Sequence, residues 1–82
     1  MQEARVQLYG RAGCHLCEEA RLVVADVCAE LGENFVETDI TSDPALVRTY
    51  GEYVPVTLVD GVQIDFWRVD PARLRAALTD SA

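Results

Sequence analysis

The stretch Leu8-Tyr9-Gly10-Arg11-Ala12-Gly13-Cys14-His15-Leu16-Cys17-Glu18-Glu19-Ala20 joins an alternating apolar segment to a helical one, with two cysteines at the junction. Upstream, Ala4, Val6 and Leu8 fall at every second residue, the period of a strand with one buried face. Gly10 to Gly13 breaks that strand. Downstream, Leu16, Ala20, Val23, Val24, Val27 and Leu31 recur at helical spacing, which predicts a helix over about His15–Leu31, closed by Gly32.

Outward from this junction the pattern keeps alternating. Asn34 to Ile40 reads as a second strand, joined to the first across the long helix, so the two should run parallel with a right-handed crossover. Asp43-Pro44 is a helix start, Asp as N-cap and Pro at the first helical position, and Gly51 closes a short helix. Val54 to Val59 and Val62 to Trp67 read as two strands, and Asp60-Gly61 between them is a two-residue hairpin turn. Asp70-Pro71 repeats the helix start and leads into Ala72 to Leu78. The expected order is βαβαββα: an α/β fold with a mixed sheet and helices on both faces, one domain over residues 1–82.

Composition bounds the function. A chain of 82 residues buries only about 60% of its unfolded surface, so every apolar segment must serve a thin core. Net charge is −7, and the seven cations are all Arg. Such a surface repels nucleic acid and anionic membranes, so neither is an expected partner. Met1-Gln2-Glu3-Ala4-Arg5 lacks the basic-then-apolar start of a secretory signal, and the apolar runs are too short to span a bilayer. A cytoplasmic location is therefore expected. There, three cysteines do not form a disulfide scaffold, and a close pair points to catalysis or metal.

Cys14 and Cys17 lie three residues apart at a helix N-terminus. On a helical turn, Cα atoms at that spacing are about 5–6 Å apart, within the range a disulfide permits. The unpaired N–H groups of the helix end stabilise a thiolate, and such cysteines titrate at roughly 3.5–7.5. Cys14, at the very end, is the expected attacking thiolate, and Cys17, more buried, the resolving thiol. Arg11 adds a positive charge nearby, while Glu18 and Glu19 should face solvent. His15 either tunes the pair as an imidazolium or is an exposed spacer that shapes the partner surface. Cys28 is about 16 Å up the helix on the face of Cys17, out of disulfide reach, and reads as a core residue. A zinc site would need a second pair of ligands, and His15 and Cys28 are poorly placed to supply it.

Those thirteen residues, with Tyr50-Gly51-Glu52-Tyr53-Val54-Pro55-Val56 and the later Val59-Asp60-Gly61, resemble glutaredoxin-like proteins, in particular the small bacterial type with a Cys-His-Leu-Cys motif. The resemblance covers nearly the whole chain. It implies a thioredoxin-like fold with four strands in the order 2-1-3-4, and a cis Pro55 opposite Cys14. It also implies that Val54 offers its main chain to an extended substrate, with Arg11, His15, Leu16 and Tyr53 bordering the site. The activity implied is thiol–disulfide exchange. A disulfide-containing protein or small thiol compound is the substrate, and an external thiol or flavoprotein reductase is the electron donor. No bound cofactor or metal is implied, and the chain should be a monomer.

Two departures bear on glutathione. Glutaredoxins that hold it carry a Gly-Gly pair and an acidic residue before the last helix, whereas this chain reads Ile64-Asp65-Phe66-Trp67-Arg68-Val69-Asp70. The redox loop is Cys-His-Leu-Cys rather than Cys-Pro-Tyr-Cys, so glutathione use is doubtful. Arg68 is either an anion contact or a solvated rim residue. Alternation along the strand places one of Phe66 and Trp67 in the core and the other outward. An outward Trp67 near Cys14 would pack on a partner peptide. Two other classes remain open: a metal or iron–sulfur carrier using Cys14 and Cys17, and a redox-silent interaction domain.

Overall fold

The structure is a computed structural model and describes residues 4–79. Its elements are β1 (Val6–Gly10), α1 (His15–Leu31), β2 (Phe35–Asp39), α2 (Pro44–Tyr50), β3 (Val56–Val59), β4 (Val62–Phe66) and α3 (Pro71–Thr79), with a 3-10 turn over Ile40–Ser42. The sheet order is β2-β1-β3-β4. β1 runs parallel to β2 and antiparallel to β3, and β3 and β4 form an antiparallel hairpin. Element order and strand order both match the sequence-based expectation.

Local chemistry explains the boundaries. Asp43 Oδ1 accepts from the N–H groups of Ala45 and Leu46 at 3.0 and 3.4 Å, capping α2 before Pro44. Asp70 Oδ1 does the same for α3, from Ala72 at 2.9 Å and Arg73 at 3.3 Å. Asp60 and Gly61 both have positive φ, 52° and 82°, as the tight turn between β3 and β4 requires. β2 stops one residue before the expected Ile40, because Asp39 caps the 3-10 turn through Thr41 N–H at 2.9 Å.

Val6 and Leu8 point from β1 into a core built with Ala20, Val24, Val27 and Cys28 of α1 and Leu74 and Leu78 of α3. On the other face, Tyr9 meets Tyr50 of α2 with ring centroids 5.2 Å apart. Arg5 ties the bottom of the molecule together. Its guanidinium binds both carboxylate oxygens of Asp60, at 3.0 and 2.9 Å, and reaches Glu33 at 3.1 Å and the Leu78 carbonyl at 3.3 Å. The Arg5 bonds also hold the Asp60 carboxyl below the usual carboxylate range. Thr57 is fully buried opposite Leu8, and its hydroxyl has no hydrogen-bond partner among the described residues.

The end of β4 corrects one expectation. Neither Phe66 nor Trp67 is core: they are 45% and 50% exposed. Two features defeat the alternation. The register with β3 slips between Thr57 and Leu58, so Ile64 is an extra residue on β4. Trp67 then leaves the strand with φ 64°, a left-handed conformation rare for a bulky side chain. Strand β3 also starts at Val56, two residues later than expected, just after the cis Val54–Pro55 peptide bond.

Candidate functional site

Cys14 is the N-cap of α1, with an extended backbone at φ −101° and ψ 114°. Its Sγ accepts a hydrogen bond from the Cys17 N–H at 3.2 Å, taking the place of the oxygen a Ser or Asp cap would supply. Cys14 is half-buried and Cys17 is 2% exposed. All three cysteines are free thiols.

The surroundings of Cys17 fix its protonation. Burial is the largest influence and raises its pKa, and a hydrogen bond to Cys14 raises it further, while the Arg11 main-chain amide pulls the other way; together they push it up to about 11. Cys17 is thus held as a thiol that donates toward Cys14. Arg11 acts here through its main chain; its side chain is exposed on a cleft of about 300 Å3 shared with Arg21, Glu37 and Asp39. Arg21 and Glu37 form a two-bond ion pair at 2.7 and 2.8 Å beside this cleft. Cys28 lies in the core, and burial likewise raises its pKa.

Gly10 is a site residue that the sequence reading left as a strand breaker. A Cβ there would lie 3.1 Å from Cys17 Sγ and 3.4 Å from Cys17 Cβ, so glycine lets the end of β1 press against the buried thiol. The signal available was its place just before the cysteine loop, but only the packing distinguishes it from an ordinary breaker.

Val54 packs with Cys17 and Ile40 in a second apolar cluster that Cys14, Tyr9, Leu46 and Tyr50 border. Pro55 follows it across the cis bond, as the resemblance implies. No main-chain hydrogen bond engages Val54 among the described residues. Tyr53 stands on the outer side of this loop, edge-on to Phe66 at 5.7 Å. His15 is not drawn in: its side chain is 98% exposed, with Nδ1 3.9 Å from Glu18 Oε2. Leu16 lies on the side of α1 that faces Trp67, Arg68 and Val69 across a groove of about 190 Å3. Among the described residues, no three His, Cys, Asp or Glu side chains converge as a metal site would.

A sheet of this order with helices on both faces is a thioredoxin-like α/β fold. The chain belongs to the family described as the glutaredoxin-like domain (DUF836), whose model matches residues 5–79. It is 35% identical over 86 residues to an uncharacterized protein of Mycobacterium tuberculosis, covering 99% of this chain and 89% of that one. The X-ray structure of the structural-genomics target XcR50 from X. campestris superposes with a TM-score of 0.77 at 37% identity, covering 94% of this chain and 99% of that one. Oxidized mitochondrial thioredoxin 3 from Saccharomyces cerevisiae shares the fold at 18% identity, with a TM-score of 0.62 over 92% of this chain and 76% of that one. No helix among the described residues is long and apolar enough to cross a membrane.

Proposed function

We propose that this protein is a dithiol thiol–disulfide oxidoreductase that reduces protein or low-molecular-weight disulfides through Cys14 and Cys17. The observation that carries the reading is the hydrogen-bonded pair itself. Cys14 Sγ, half-buried at a helix N-terminus, receives the Cys17 N–H at 3.2 Å, while Cys17 is buried and held as a thiol. The arrangement separates an attacking sulfur from a protected one.

The chemistry follows from that asymmetry. Cys14 thiolate attacks one sulfur of the substrate disulfide; a Cys14–substrate bond forms, the substrate S–S bond breaks, and the departing sulfur takes a proton from solvent. An extended substrate segment pairs with the unengaged main chain of Val54 beside Pro55. Cys17 then loses its proton, attacks Cys14 Sγ, and releases the second substrate thiol. The oxidised pair is reset by two electrons from an external thiol or flavoprotein reductase. Arg11, His15, Leu16 and Tyr53 border the approach. The protein works as a monomer in the cytoplasm, with neither bound cofactor nor metal.

A redox titration in defined thiol–disulfide buffers, with free thiols trapped by alkylation and counted by mass, tests this. A reversible two-electron transition between about −120 and −270 mV, the range of such enzymes, supports it and gives its direction. A pair that never oxidises, or whose labelling changes only when metal is removed, refutes it.

A further inference from the structure

We infer that the groove between α1 and the β4–α3 connection is a side-chain pocket for a polypeptide substrate. It selects a disulfide-bearing segment with an apolar residue beside its cysteine and a basic residue close by, over glutathione. The inference rests on the oxidoreductase reading and names the substrate class of that site.

Four observations carry it. The groove, of about 190 Å3, has apolar walls of Leu16, Ala20, Val23, Trp67 and Val69, a lining for one aliphatic or aromatic side chain. It is continuous with the redox loop on both sides: Leu16 stands between the two cysteines, and the Trp67 N–H donates to the Pro55 carbonyl at 2.8 Å. Any segment joined to Cys14 and paired with Val54 therefore runs past it.

Trp67 is held open against its own preferences. Its left-handed backbone is strained for a bulky residue, and its ring is half exposed, yet three bonds fix it. These run from the main-chain N–H to the Pro55 and Tyr53 carbonyls, at 2.8 and 3.2 Å, and from the indole Nε1–H to the Glu52 carbonyl at 2.9 Å. The Phe66 ring supports it edge-on at 5.0 Å, and Tyr53 extends the aromatic surface. A fixed aromatic face next to a reactive loop is suited to receive an apolar partner side chain.

Charge decides between the two substrates. The one cation on the groove, Arg68, is already opposed by Glu19 at 3.7 Å. Glu52, beside Trp67, has no ion-pair partner among the described residues, and the whole chain carries −7. Glutathione brings two carboxylates and one ammonium, so on the walls of this groove it meets no unpaired cation, and the net charge of the chain repels it. A basic residue in a polypeptide meets Glu52 instead.

The test uses the Cys17→Ser chain, which stops at the mixed disulfide. In that step Cys14 thiolate bonds to one probe sulfur, the probe S–S bond breaks, and the released thiolate is protonated by solvent. The probes are a short peptide disulfide with Leu beside Cys and one Lys, its Gly counterpart, and oxidised glutathione, with adducts quantified by mass. The Leu peptide should be favoured by about tenfold over both, the scale on which one buried Leu side chain acts. Trp67→Gly, which tolerates the backbone, should erase most of that preference. Equal adducts with all probes, or a preference for glutathione, overturns the inference. A second arm follows the fluorescence of Trp67, the chain's one tryptophan, in Cys14→Ser/Cys17→Ser protein titrated with the Leu peptide carrying Ser for Cys. A saturable change supports the groove even if no exchange occurs in the first arm, which would defeat only the oxidoreductase reading. No change overturns the groove.

Discussion

Alkylation of the reduced protein should discriminate sharply between Cys14 and Cys17. Burial, with a smaller contribution from the hydrogen bond to Cys14, pushes the Cys17 pKa up to about 11 from the ordinary 9.0. At pH 8, a thiol of pKa 11 is ionised to about one part in a thousand, against about one part in ten at 9.0. Ionisation alone therefore makes Cys17 about 100-fold slower toward iodoacetamide than an unstructured cysteine, and its burial slows the reagent further. Cys14, half-buried at the helix end, should take the label first. The assay is a short pulse of reagent at several pH values, followed by digestion and assignment of the labelled cysteine by fragment mass. In Cys14→Ser protein the bond and charge of Cys14 are gone but burial, the largest cause, persists, so Cys17 should still label slowly. If Cys17 in the native chain labels within about fivefold of an unstructured thiol at pH 8, the reasoning from burial is wrong.

The same shift links stability to alkaline pH. Folded Cys17 holds its proton more tightly than the unfolded thiol, so its contribution is complete below pH 9 and is lost as pH rises toward 11, about 2–3 kcal/mol in all. Urea midpoints of the native chain and Cys17→Ala, measured from pH 7 to 11, should converge over that window; a constant difference would contradict it. Thr57→Val keeps the shape of a fully buried residue while removing its unpartnered hydroxyl, and should stabilise by about 1 kcal/mol, raising Tm by about 4–8 °C in calorimetry. An unchanged or lower Tm would mean the hydroxyl is satisfied. Gly10→Val drives a side chain into Cys17 Sγ from a Cβ only 3.1 Å away, and should cost about 1–3 kcal/mol in chemical denaturation. A neutral substitution would show that the first turn of α1 yields freely.

What was legible in the sequence was local in origin. Asp43-Pro44 and Asp70-Pro71 announce helix starts because the caps are made by neighbouring N–H groups. Asp60-Gly61 announces its turn because both residues tolerate positive φ. The stripe from Ala20 through Val24 to Val27 announces the buried face of α1 because helical geometry alone puts those residues together. The pairing of Cys14 with Cys17 belongs to the same category, since three residues of helix bring them close. Strand order and the cis Pro55 came through the family resemblance, not from these patterns.

Tertiary structure decided whatever depends on distant neighbours. Alternation placed one of Phe66 and Trp67 inside, but a register slip against β3 and the bonds from Trp67 to Pro55 and Glu52 leave both at the surface. Gly10 looked like a strand breaker until Cys17 was packed on it. Arg11, singled out in the sequence for its charge near Cys14, also reaches Cys17 by its main-chain amide, a contact only the packing creates. Arg5 gave no hint that it would join the hairpin turn, Glu33 and the end of α3, partners 28 to 73 residues away. The sequence by itself determined the elements and the closeness of Cys14 and Cys17, since periodicity, capping and turn chemistry act within a few residues. The burial that separates one thiol from the other, and the aromatic wall beside them, exist only once residues far apart in the chain are packed together.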